Sequence, residues 1–145
     1  MNDEIDLLKY LLTNIKIQQD FLYKILRKKE MKDEIYDLIR YEIFEYRKFA
    51  VSLKRMLQNR IKKYNKEKNI LLDVASSIGA NSNKTDKKED YLLLLKESAK
   101  INLLDIEKIK KEYSIKSKTI IKLIERLESF ENNNLNKINA FISTK

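Results

Sequence analysis

Apolar residues recur along the first stretch of the chain as Ile5, Leu8, Leu12 and Ile15, then Leu22 and Leu26, in alternating steps of four and three. That rhythm keeps one stripe of a 3.6-residue helix apolar and predicts an amphipathic helix over residues 3–28. Asp3 and Glu4 fall in its first turn and the cluster Arg27, Lys28 and Lys29 at its end, the signs that complement a helix dipole. Gln19 is the single polar residue at a seam position. After a short turn near Glu30, the series Ile35, Ile39, Glu42, Tyr46, Phe49, Leu53 and Met56 repeats the rhythm and predicts a second helix over 32–64.

Residues 65–90 break the pattern with asparagines and a charged run around one apolar patch, Ile70-Leu71-Leu72-Asp73-Val74. The patch predicts a short helix over 70–78, followed by Gly79 where a left-handed C-terminal cap is needed. A third long helix is expected over 87–112, with Asp86 and Glu89 as a capping pair and Tyr91, Leu95, Asn102, Ile106 and Ile109 along one face. Ser114 or Ser117 then caps a fourth, over 116–142, whose face carries Ile120, Ile124, Leu127, Glu131, Asn134, Ile138 and Phe141. Short first and last connections and a longer middle one predict an all-α fold. The expected architecture is one domain over 1–145, an antiparallel four-helix bundle made of two helical hairpins with a short extra helix in the middle connection. Each helix should bury one face and turn its charged face to water.

Composition supports helices and removes much chemistry. The 145 residues include one glycine and no proline, so the strongest turn formers are nearly absent. With 43% hydrophobic and 37% charged residues the chain is too apolar for disorder. Its apolar runs, such as Tyr91 to Leu95, are about one turn long, far short of a membrane span. Cysteine and histidine are absent, which excludes a thiol nucleophile, a disulfide framework, a Cys/His zinc site and a histidine acid or base. The acidic start Met1-Asn2-Asp3-Glu4 lacks the basic opening and apolar core of a secretory signal, so a cytoplasmic protein is expected. Its 25 lysines, 19 isoleucines and 13 asparagines against 6 arginines suit AT-rich codons and a bacterial source.

The formal charge of +9 has two readings, that codon bias or attraction of an anionic partner. In the expected topology Arg27, Lys28, Lys29 and Lys32 gather with Lys110, Lys111, Lys116 and Lys118 at one end of the bundle. Glu30, Asp33 and Glu112 dilute this cluster, and arginines and stacking aromatics are not arranged for base reading. Any such binding would be weak, sequence-independent and salt-sensitive.

The stretch Glu45-Tyr46-Arg47-Lys48-Phe49-Ala50-Val51-Ser52-Leu53 resembles the second-helix segment of rubrerythrin-like bundles, where Glu-x-x-His-Ala precedes a leucine. Arg47-Lys48-Phe49-Ala50, together with a short helix in the middle connection, is similar to bacterial ferritin-like proteins with an Arg-x-Phe-Ala segment on their second helix. The resemblance implies a ferritin-like fold with degenerate metal ligands. An intact site of that kind takes a Glu from each of two helices and a Glu-x-x-His pair from each of the other two. Here Tyr46 and Phe49 stand at the Glu and His of the first pair. In the second, Glu131 keeps the carboxylate and Asn134 replaces the histidine. Gln18 and Gln19 on the first helix and Asn102 on the third are the nearest remaining candidates. With Glu42 and Glu131 as the inward carboxylates, di-iron redox chemistry lacks the charge and ligands it needs.

Gln19, Glu42, Asn102, Glu131 and Asn134 all fall at or beside interior positions, where an unpaired polar group costs about 1–3 kcal/mol. A hydrogen-bonded network that sets helix register is expected among them. The competing reading is a single hard cation such as Mn or Ca held by Glu42, Glu131 and amide oxygens. Tyr23, Tyr36, Tyr46 and Tyr91 are expected at seam edges. The resulting functional expectation is a non-catalytic, cofactor-free bundle with a structural or protein-interaction role, self-associating or bound to a protein partner. Weak anion binding at the basic ends and residual metal binding in the core are the alternatives.

Overall fold

In the computed structural model residues 3–29, 32–61 and 88–143 are described. Every regular element among them is an α-helix: α1 (Asp3–Lys28), α2 (Glu34–Arg60), α3 (Lys88–Glu112) and α4 (Lys118–Ser143). The expected helix over 70–78, the Gly79 cap and the Asp86–Glu89 pair lie outside the described residues and side chains. The chain divides into two compact units, Met1–Thr85 with α1 and α2, and Asp86–Lys145 with α3 and α4.

In the first unit α1 and α2 pack on each other through apolar faces. The α1 stripe is built from doublets, Leu7 and Leu8, Leu11 and Leu12, Phe21 and Leu22, with Ile15 and Ile25 between and beyond them, all buried. Doublets widen the stripe and turn its centre away from the four-three seam read in the sequence. Ile5 and Leu26 are accordingly half-buried. On α2 the buried set runs from Ile35 through Ile39, Tyr46, Phe49 and Leu53 to Leu57, while Met56 is half-buried.

Both ends of α2 have local causes. Asp33 is its N-cap, with Oδ1 accepting from the Tyr36 amide at 2.9 Å and Oδ2 accepting from Lys29 Nζ at 3.2 Å. The helix therefore starts at Glu34, two residues later than the sequence pattern predicts. Partial burial pushes the Asp33 carboxyl up, but the Tyr36 amide and Lys29 together outweigh it and hold it below the ordinary aspartate value. At the other end Ile61 is extended, at φ −137 and ψ 113, and its N–H donates to the Leu57 carbonyl at 2.7 Å. This stops the helix at Arg60, short of the expected residue 64. Arg60 Nε also reaches Glu4 Oε1 at 3.5 Å, tying the end of α2 to the start of α1. Burial, then the nearby Lys54 charge, lowers the pKa of Lys16.

In the second unit α3 packs on α4. Ser117, not Ser114, caps α4: its Oγ accepts from the Ile120 amide at 3.4 Å and its carbonyl from the Ile121 amide at 3.1 Å. Ile120, Leu123, Ile124, Leu127, Phe130 and Ile138 form the buried stripe of α4. Helix α3 departs from expectation. It buries Tyr91, Leu92, Leu95, Ala99, Ile106 and Ile109, yet Leu93, Ile101 and Leu104 are 52%, 63% and 64% exposed, so its outer side is not simply charged. Tyr46 and Tyr91 are also deeper than the seam edge, at 1% and 2% exposure. No described helix is long and apolar enough to cross a membrane.

Candidate functional site

The expected polar seam is divided between the two units. In the first, Glu42 is 3% exposed. Gln19 is half-buried, and the interior glutamine of α1 is Gln18, at 8% exposure. This corrects the register by one residue: neighbours on a helix are turned about 100° apart, and the widened stripe of α1 faces inward at 18 rather than 19.

In the second unit Glu131 and Asn134 are 2% and 0% exposed. Asn102 is half-buried and its Nδ2 donates to Glu131 Oε2 at 3.2 Å, joining α3 to α4. Asn134 lies three residues beyond Glu131 on the same face of α4, and neither its Nδ2 nor its Oδ1 has a hydrogen-bond partner among the described residues. The structure thus brings Asn102 and Glu131 together as a bonded pair. Among the described residues no three acidic, histidine or cysteine side chains are grouped so as to hold a metal ion.

The basic residues likewise fall into two sets. Arg27 and Lys32 are exposed and Lys28 and Lys29 half-buried around the α1–α2 connection, whereas Lys110, Lys111, Lys116 and Lys118 are exposed around the α3–α4 connection. Two of these lysines already have acidic partners. Lys29 reaches Asp33 at 3.2 Å and Lys110 reaches Glu128 at 2.6 Å, so the local positive charge is smaller than the sequence count suggests.

A concave feature of the first unit lies away from the polar seam. An open cleft of about 540 Å³ lies between α1 and α2, with Tyr23 and Leu26 on the α1 side and Asp37 and Arg40 on the α2 side. Further along α2, Tyr41, Ile43, Phe44 and Arg47 complete its lining. Ile43 belongs to the buried core and supplies an apolar floor, whereas Tyr41 and Phe44 are 43% and 51% exposed. Arg47 is positioned: its Nη2 donates to the Tyr23 hydroxyl at 2.7 Å, across the two helices. Lys48 Nζ sits 4.7 Å from the centre of the Phe44 ring and pairs with Glu45 at 2.7 Å, so one side of that ring already has a cation.

The sequence held a signal for this cleft. Residues 37, 40, 41, 44, 47 and 51 follow the helical three-four spacing on the side of α2 away from Glu42, Tyr46 and Phe49. That second stripe contains two of the chain's six arginines and two exposed aromatics. A search for the apolar face alone passes over it because Arg and Asp interrupt it. Compared with known proteins, the chain matches no protein-family model, no curated protein and no solved structure.

Proposed function

We propose that this is a non-catalytic helical protein that acts by binding another protein through the α1–α2 surface. The observation that carries this reading is the cleft itself, in which two arginines, two tyrosines and a phenylalanine surround an aliphatic floor. Tyr and Arg dominate the energetics of protein interfaces because each brings large contact area together with a directed polar group. Phe44 and Tyr41 already stand half in water, so covering them gains hydrophobic free energy without unfolding anything.

The finer fold reading, an antiparallel ferritin-like four-helix bundle with degenerate ligands, belongs to this proposal. It draws support from the buried stripes on all four helices and from the Glu4–Arg60 and Tyr23–Arg47 contacts, which link early α1 to late α2 and late α1 to the middle of α2. The donor chemistry argues in the same direction. Glu42 and Glu131 are the two buried glutamates among the described residues, and the whole chain has no histidine to complete a redox metal site.

The test is photo-crosslinking in the source cells with a benzophenone amino acid at position 44, compared with position 122 on the exposed side of α4. A discrete protein adduct from position 44 alone is expected. Equal labelling from both positions, or none from position 44, contradicts an interaction surface on α2.

A further inference from the structure

The charges lining the cleft say more about the partner, on the reading that the cleft is an interaction site. Arg40 and Arg47 lie seven residues apart on α2, about 10.5 Å along the axis and within about 20° of the same direction. Both line the cleft, and both are exposed. Between them lies the apolar surface of Ile43 and Phe44, bordered by Leu26 from α1. Asp37 lines the end of the cleft nearest the start of α2, three residues before Arg40. Along the helix the sequence of surfaces is therefore anionic, cationic, apolar, cationic.

We propose that the cleft takes an amphipathic helix of a partner protein, carrying two carboxylates two turns apart with an aliphatic side chain between them. A helix is the ligand whose own repeat matches this spacing, since its residues i and i+7 also stand about 10.5 Å apart on one face. The aliphatic residue seats on Ile43 and Leu26, while the carboxylates meet Arg40 and Arg47 in charge-assisted hydrogen bonds. The Tyr23 hydroxyl takes one N–H of Arg47 and leaves the rest of its fork of donors for the ligand. Held in this way, Arg47 loses less freedom on binding than a lysine at the same place. Asp37 sets direction: it favours a cation beyond one carboxylate and repels a third acidic residue there.

Single-stranded nucleic acid is the less fitting occupant. Lys48 already sits against the Phe44 ring, and Asp37 would face a phosphate.

The experiment uses the full chain and three fluorescent probes: an alanine-based helical peptide with two glutamates two turns apart around a leucine, the same peptide with glutamines, and an oligothymidylate. The glutamate peptide is expected to bind at least about tenfold more tightly than the glutamine peptide, and more tightly than the oligonucleotide. Arg40→Gln and Arg47→Gln should each remove most of that preference. Tyr23→Phe should weaken it by a smaller factor, and Arg55→Gln, an exposed α2 residue outside the cleft lining, should leave it unchanged. Circular dichroism of each variant confirms that the fold is retained. Equal binding of the two peptides, absence of binding at millimolar peptide, insensitivity to both cleft arginines or preference for the oligonucleotide overturns the proposal. A position-44 adduct in cells alongside any of these results rejects the acidic helix while the interaction surface stands.

Discussion

The two helix pairs are nearly equal in length and each buries polar side chains, but they differ in what they leave on the surface. In the α1–α2 unit the arginines and two half-exposed aromatics face outward around a cleft. In the α3–α4 unit aliphatic Leu93, Ile101 and Leu104 are exposed instead, while half-buried Asn102 bonds to buried Glu131 and Asn134 is fully buried. A buried polar group costs stability unless it is bonded, whereas an exposed aromatic group leaves hydrophobic surface available for a partner.

The largest expected effect tests the assignment of inner and outer faces. Leu53 on α2 is fully buried, and Leu53→Ala should lower the unfolding free energy by about 2–5 kcal/mol through lost burial and a residual cavity. Leu104→Ala, at 64% exposure, should stay within about 0.5 kcal/mol. Urea denaturation of the two variants measures both, and a large loss at position 104 would mean that the outer side of α3 is covered in solution.

Next is Asn134, the most deeply buried polar side chain among the described residues. Leucine has the same number and branching of side-chain heavy atoms as asparagine, so Asn134→Leu keeps the shape and removes two unpartnered polar atoms. It should raise stability by about 1–3 kcal/mol. A loss of stability on calorimetry would show that Asn134 has a bonding partner in solution.

The Asp33 cap is expected to contribute less. Asp33→Ala should cost about 1 kcal/mol at neutral pH through the lost bond to the Tyr36 amide. Because the folded pKa is depressed, the contribution is complete above the unfolded value of about 3.9 and is lost as pH falls through the folded value. The gap between wild type and Asp33→Ala should therefore close in acid, and Asp33→Asn should retain the cap without this pH dependence. Smallest is the exposed Lys110–Glu128 pair, whose coupling in a double-mutant cycle should be about 0.2–1 kcal/mol and should fade with added salt.

The four long helices and their approximate spans were legible in the sequence because apolar and polar residues alternate with a helical period on α1, α2 and α4, and no glycine or proline interrupts them. The ends were less so. The start of α2 depends on which residue caps it, and its end on the extended backbone of Ile61. Residues Glu42, Glu131 and Asn134 stand out as polar members of an otherwise apolar series, which makes their burial readable. Gln18 was obscured by Gln19, because two adjacent glutamines offer the periodic pattern a choice that only the packed doublets of α1 decide. The exposed residues of α3 escaped for a related reason: leucines crowd both sides of the helix, so periodicity assigns no unique inner face. The cleft depends on pairing Tyr23 with Arg47, and that contact joins residues far apart in sequence.

The central claim is that function resides on the surface of α2 while the buried carboxylates serve structure, and metal content coupled to thermal unfolding tests it most directly. Protein purified without chelator should contain no stoichiometric metal, and its melting temperature should be unchanged by EDTA. Glu131→Gln should lower stability by no more than about 1–2 kcal/mol, since the amide keeps the shape and can still bond to Asn102. One equivalent of a divalent cation, with a melting temperature that falls on chelation, recovers on adding that cation and loses both responses in Glu131→Gln, would contradict the account, because a metal bound only to the folded state stabilises it by mass action.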